Sequence, residues 1–328
     1  MLSKLSFLII LLFLVSCQEQ VDPSNKLAVY DELCTSIAKY SASIEARNVN
    51  WDSLTLAYRL SISNSLSEDE YFEIVGELLR NFKDPHVWLI APKQSMYTID
   101  YLNYERNFSK ELILSQYIEQ LATYNSSIFT GMISGSIGYV FCANFKGDVT
   151  ATNRIFSDII ERFENTKGLI IDLRINDGGN VYNAQNLLNK LTQKRSLWHT
   201  TQNKTKNGLD RPYEWHIEPD NTSNYKNKVV VLTGRYTVSA GERFVIGAKL
   251  LDHVTIVGDT TANTQGSVMG REMLNGWQYT FTFEKVLDAK GVNHAGVGIA
   301  PDCYIPSNET IIKNNDQAIE RAIEIIME

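Results

Sequence analysis

From residue 137 to the C-terminus, short apolar runs alternate with segments of helical periodicity, and this alternation restricts the chain more than any other feature. Apolar runs of this kind bounded by turn residues read as strands. Strands separated by helices predict a mainly parallel or mixed sheet with helices packed against it. Strands are expected at 138–145, 169–173, 229–232 and 254–257, and helices at 152–165, 182–191 and 239–251. Asn275-Gly276 predicts a hairpin between 267–274 and 277–284, because both residues accept the positive φ of a tight two-residue turn. An amphipathic helix follows Asp316.

Upstream the pattern is helical. Tyr30, Leu33, Ile37, Tyr40 and Ile44 share one helical face, and Tyr71, Ile74, Val75, Leu78, Leu79 and Phe82 share another. Ser67 and Glu70 form a capping box at the start of the second helix, which must end before Pro85. A helical N-terminal domain over 26–90 follows from this. Residues 91–136 are rich in Tyr, Asn and Ser with weak periodicity, so an irregular connector with some helix around 110–124 is expected there. The fold class is thus α/β (α+β), with a sheet domain over 137–328.

The chain opens MLSKLSFLIILLFLVSC, one early lysine and then an apolar run that stops at Cys17. The run is shorter than the roughly 20 apolar residues a bilayer requires, which predicts an export signal over 1–17 rather than a membrane span. Leu14-Val15-Ser16-Cys17 resembles a bacterial lipobox, which implies acylation of Cys17, a tether over 18–25 and attachment to a bacterial membrane, the outer membrane in the first instance. An ordinary cleaved signal is the alternative. A formal charge of -7 without a basic cluster argues against nucleic acid as a partner. Cys34, Cys142 and Cys303 are odd in number and lack CxxC spacing, so neither a zinc ribbon nor a disulfide framework is expected.

Three stretches could carry chemistry. In KVVVLTGRYTVSAGERF an apolar strand runs through a turn into a helix at Ser239. A serine at such a bend is a candidate nucleophile, because the turn exposes its hydroxyl and the helix N-terminus favours developing negative charge. Ser239 with Glu242 also reads as a capping box. In GLIIDLRINDGG, Gly178 and Gly179 follow a buried strand; they allow backbone N–H groups to approach a ligand closely, or simply make a tight loop. Asp84-Pro85-His86 closes a helix and begins an extended segment.

DPHVWL, GLIIDLRINDGG, SAGERF with VGDTTANTQG, and GVGIAPD, in this order, resemble the tail-specific or C-terminal processing serine proteases, particularly their tricorn-core branch. The resemblance covers about two thirds of the chain and implies a ClpP/crotonase-like α/β core. It implies Ser239 as nucleophile, and oxyanion donors from Gly178 or Gly179 and from Ala240. The lysine-type branch carries its base after the next strand, where this chain has Thr264, and Lys249 lies too far along the helix to replace it. The tricorn-core branch uses a histidine, which maps to His86. That branch places an orienting glutamate where this chain has Ala295, leaving Asp84 and Asn293 as candidates. His199, His216 and His253 are expected at the surface or in loops. Residues 86–137 are too few for a PDZ domain.

The resulting expectation is a lipid-anchored serine peptidase acting on peptides or unfolded protein segments, without metal or organic cofactor. The alternatives are an idle peptide- or small-ligand-binding protein on the same fold, and a surface capture module using aromatic loops at 96–104 or 198–215.

Overall fold

The computed structural model describes residues 22–97, 104–307 and 315–328. The expected signal, Cys17 and most of the 96–104 loop lie outside these. Of the expected tether, Asn25 is already the cap of the first helix, its side chain accepting from the Ala28 amide at 3.2 Å.

A seven-stranded sheet forms the centre. Its order is β15 (Cys303–Tyr304), β11 (Val254–Gly258), β10 (Lys228–Thr233), β6 (Gly168–Asp172), β5 (Ile137–Cys142), β4 (Ile128–Ile133) and β3 (Glu119–Thr123). From β15 to β5 the strands are parallel; β4 and β3 close the sheet antiparallel. Both faces are covered, which explains why β5 and β6 read as unbroken apolar runs rather than alternating ones. Val140, Ile171 and Val231 pack on one side against α6 (Val149–Phe163), α7 (Val181–Asn189) and α8 (Ala240–Ala248). Tyr139, Ile170 and Val230 pack on the other against the C-terminal helix Gln317–Met327 and α5 (Lys110–Gln116). Asp316 caps that last helix, and buried Arg174 holds its carboxylate at 2.7 Å.

The expected N-terminal helices are α1 (Lys26–Tyr40), α2 (Ser43–Ala46), α3 (Trp51–Arg59) and α4 (Glu68–Arg80). The Ser67–Glu70 capping box forms, and α4 stops short of Pro85. These helices do not make a core alone. They pack on a second sheet, ordered β12 (Val268–Glu272), β13 (Gln278–Thr282), β1 (Trp88–Ala91) and β2 (Gln94–Tyr97). The hairpin expected at Asn275-Gly276 is β12–β13, and its Trp277 ring lies 5.3 Å from Tyr71 and 5.6 Å from Phe72. A C-terminal hairpin thus completes the N-terminal core. A third sheet joins β14 (Glu284–Asp288), β7 (Ser196–Thr205) and β8 (Gly208–Leu209), with β9 (Tyr213–Ile217) also paired to β7.

Two expectations are corrected. Residues 91–136 are not an irregular connector: their described part contains β2, β3 and β4, and among the described residues the helix is confined to Lys110–Gln116. The exposed, polar β3 carries no alternation, and β4 is interrupted by Gly131, whose missing side chain makes room for Ile118, 2.4 Å from where a Cβ would stand. Residues 198–215 are not a loop but the β7–β9 ladder, and Trp198 is wholly buried with its indole N–H donated to the Arg243 carbonyl at 2.8 Å.

Candidate active site

The loops that follow β6, β10 and β11 meet at the carboxyl ends of the parallel strands, where crevices in such sheets form. Backbone bonds knit them together. The Val238 amide donates to the Asn176 carbonyl, and the Ala262 amide to the Thr237 carbonyl, each at 2.9 Å. Thr237 Oγ1 donates to the Leu173 carbonyl at 2.7 Å.

Ser239 sits where β10 turns into α8, with φ 58° and ψ -120°. A non-glycine residue in this conformation is strained by about 1–3 kcal/mol, and such strain persists only where the surroundings impose it. The capping-box reading fails here, because the Ser239 side chain makes no cap bond. Glu242 faces away from it, accepting from Thr261 Oγ1 at 2.5 Å, the Asn263 amide at 2.9 Å, the Thr264 amide at 2.7 Å and Gln265 Nε2 at 2.9 Å. Burial raises the Glu242 carboxyl above its ordinary pKa despite those four bonds. The loop so anchored returns a bond: its Thr264 carbonyl accepts the Ser239 amide at 2.9 Å.

Gly178 and Gly179 have φ 80° and 131°. Their lack of side chains is a packing requirement as well, since a Cβ on Gly178 would stand 2.6 Å from Ser239 Cβ, and one on Gly179 2.5 Å from the Phe145 carbonyl carbon. The Gly178 amide is occupied by Asn176 Oδ1 at 3.0 Å. No hydrogen bond among the described residues engages the amides of Gly179 or Ala240. Ala240 is the first residue of α8, so its N–H is one of the donors a helix leaves without an internal partner.

His86 comes from the other sheet. It lies between α4 and β1, its carbonyl accepting from Thr280 Oγ1 of β13 at 2.7 Å. Its Nδ1 lies 3.3 Å from Thr264 Oγ1 and 3.4 Å from Thr282 Oγ1. Thr282 gives its hydroxyl proton to Asp84 Oδ2 at 2.9 Å, so towards His86 it can only accept. A proton on Nδ1 satisfies Thr282, while Thr264 Oγ1 can donate or accept there and the His86 ring also bonds the Gly266 backbone. Asp84 is fully buried; Ser43 Oγ donates to it at 2.5 Å, the His86 amide at 3.0 Å, and Arg47 Nε stands 3.5 Å away. Burial alone would raise its pKa, but Arg47, His86 and these bonds outweigh that and hold it below the usual carboxylate value. Burial lowers the His86 pKa, Asp84 opposes, and Arg47 and Arg243 lower it further.

The structure brings Ser239, Ala240, Gly178, Gly179, His86 and Asp84 to one region. No hydrogen bond among the described residues joins Ser239 to His86; both meet Thr264, one through its amide and the other through Nδ1. No hydrogen bond among the described residues joins Asn293 to His86. Asn293 Oδ1 accepts from the Ala295 amide at 2.9 Å, and both residues line a small cavity shared with Asp84, Thr264 and Thr282. Lys249 is engaged with Asp302 and the Ala300 carbonyl, away from Ser239. His199 is completely buried in β7, contrary to the surface expectation, because its strand is covered. Sequence reasoning missed Thr282, Arg47, Arg243 and Glu284, the last two ion-paired behind α8. The position of Thr264 was visible as the place of a missing lysine, but its contact to His86 was not.

Comparison with known proteins relates the chain to peptidases. A tricorn protease from Thermoplasma volcanium is 28% identical over 204 residues, which is 59% of this chain and 18% of that protein. The chain therefore matches less than a fifth of that relative's length. A crystal structure of a candidate peptidase from Parabacteroides merdae is 26% identical, with a TM-score of 0.80 over 92% of this chain and 97% of that one. Mature CPAF complexed with lactacystin shares the fold, with a TM-score of 0.71, 11% identity, and coverage of 93% and 98%. The family model described as peptidase family S41 matches residues 136–305, just over half of the sequence and all of the loops that meet at Ser239. This chain belongs to peptidase family S41.

Proposed function

We propose that this chain is an exported, lipid-anchored serine peptidase that cleaves peptides or unfolded protein segments, with Ser239 as nucleophile and His86 as general base. The observation that carries the reading is the strained backbone of Ser239, which withholds its hydroxyl from capping and sets it against the Gly178 turn. Ser239 Oγ attacks the scissile carbonyl while His86 Nε2 takes its proton. The new oxyanion is received by the amides of Gly179 and Ala240, Gly178 being already engaged; loss of one such donor typically costs about 3 kcal/mol of barrier. The imidazolium then protonates the leaving amine, the C–N bond breaks, and water, deprotonated by His86, releases the acyl group. Asp84 acts through Thr282, holding Nδ1–H and offsetting the imidazolium charge, where a family glutamate would otherwise stand at Ala295.

Cys17 would carry the lipid, at roughly 0.8 kcal/mol per buried CH₂. Metabolic labelling with a fatty acid tests this: label lost in Cys17→Ala supports the anchor, and label retained refutes it. The absence of a Ser239–His86 hydrogen bond favours a second reading, an idle peptide-binding protein. A serine-directed phosphonate probe separates the two. Labelling abolished by both Ser239→Ala and His86→Ala supports catalysis; no labelling of the parent chain supports binding alone.

A further inference from the structure

Residues directly opposite on neighbouring strands share a face of the sheet. In the third sheet Glu284, Val286 and Asp288 stand opposite Asn203, Thr201 and His199, while Trp215 and Tyr213 stand opposite His199 and Thr201 from the other side. One face therefore carries all of these. Glu284 of this face pairs with Arg243 of α8, the helix that begins directly after Ser239.

Along this face the rings form a continuous shelf. Trp215 is central: its centroid lies 5.4 Å from Tyr213, 5.4 Å from Tyr182 and 5.5 Å from His199, which stacks on it at 14°. Tyr182 is 52% exposed and Tyr213 63% exposed. Tyr182 belongs to the first turn of α7, three residues after Gly179, so its backbone is no more than about 11 Å from that of the oxyanion glycine. Gln185 Nε2 binds the His216 carbonyl at 2.7 Å and Trp215 Nε1 binds Thr201 Oγ1 at 3.1 Å, which fixes the helix and hairpin together. His199 is wholly buried, yet neither ring nitrogen has a partner among the described residues.

We infer that this shelf, built by Tyr182, Trp215, Tyr213 and His199, receives the side chain of the substrate residue beside the scissile bond and selects an aromatic or bulky aliphatic one. The position fits, because Tyr182 stands in the first turn of α7, three residues after the glycine whose amide is proposed to receive the carbonyl oxygen. The chemistry fits as well: stacked rings offer broad apolar contact to a single side chain. Burial, reinforced by Arg243, lowers the His199 pKa to about 2, so the floor of the shelf is uncharged and offers no counter-ion to a lysine or an aspartate.

This inference rests on the peptidase reading, and its test is arranged to fail separately. Full-length Ser239→Ala protein in detergent is titrated calorimetrically with acetylated, amidated alanine hexapeptides carrying Phe, Leu, Ala, Lys or Asp at one position moved along the peptide. At one position Phe and Leu should bind about tenfold or more tightly than Ala, Lys or Asp. Adding Trp215→Ala or the more exposed Tyr182→Ala should remove that preference. Equal affinities at every position, a preference for Lys or Asp, or selectivity that survives both substitutions overturns the inference. Because binding is read without the serine hydroxyl, a selective but uncleaving parent chain would count against the peptidase reading alone.

Discussion

The amide of Ser239 donates to the carbonyl of Thr264 at 2.9 Å, and the hydroxyl of the same threonine stands 3.3 Å from His86 Nδ1. One loop residue thus contacts both the proposed nucleophile and the proposed base. Glu242 fixes that loop through four bonds.

Ser239→Ala should abolish cleavage yet change stability by less than about 0.5 kcal/mol, since no capping bond is lost. Ser239→Gly should be equally inactive and more stable by about 1 kcal/mol, because glycine tolerates the positive φ. Urea denaturation of the three proteins reads both effects.

Glu242→Gln keeps the size but loses one charged acceptor for the 261–265 loop. A stability loss of about 1–3 kcal/mol is expected, with a fall in kcat/KM of about tenfold or more as Thr264 loosens. Unchanged kinetics in a destabilised variant would show that the loop does not set the site.

The α/β alternation, the hairpin at Asn275-Gly276 and the helical start were legible because each rests on local pattern. Ser239 and His86 were legible through short motifs beside them. Thr282, Arg47 and Thr264 were not, since each acts by meeting a residue far along the chain, and a threonine or arginine carries no local mark of such a partner. β3 and β4 escaped because one is an exposed polar edge and the other owes its glycine to Ile118.

His86 must be neutral to accept a proton, and burial lowers its pKa from 6.5. Activity should therefore rise with pH along a limb centred below pH 6.5. Arg47→Gln removes a cation that depresses His86, so the limb should move to higher pH. A pH profile of kcat/KM checks the direction.

His199 is held neutral in the fold, with its pKa lowered to about 2 from 6.5. The unfolded chain binds the extra proton first, so this contribution to stability is present above pH 6.5 and is lost as pH falls below it. The melting temperature should drop with acidification, and less steeply in His199→Phe.

Thr282→Val removes the hydroxyl between Asp84 and His86 while keeping the shape of the side chain. A loss in kcat of about tenfold or more is expected with KM little changed, since the bond counts most when the imidazolium forms. An equal rise in KM instead would assign Thr282 to substrate binding.

The most direct measurement is cleavage of a mixed peptide library by the full chain in detergent, read by mass spectrometry beside Ser239→Ala and His86→Ala. The account predicts cleavage by the parent chain that disappears in both variants. Cleavage that persists in His86→Ala, or a parent chain that cuts nothing while binding peptides, would contradict it.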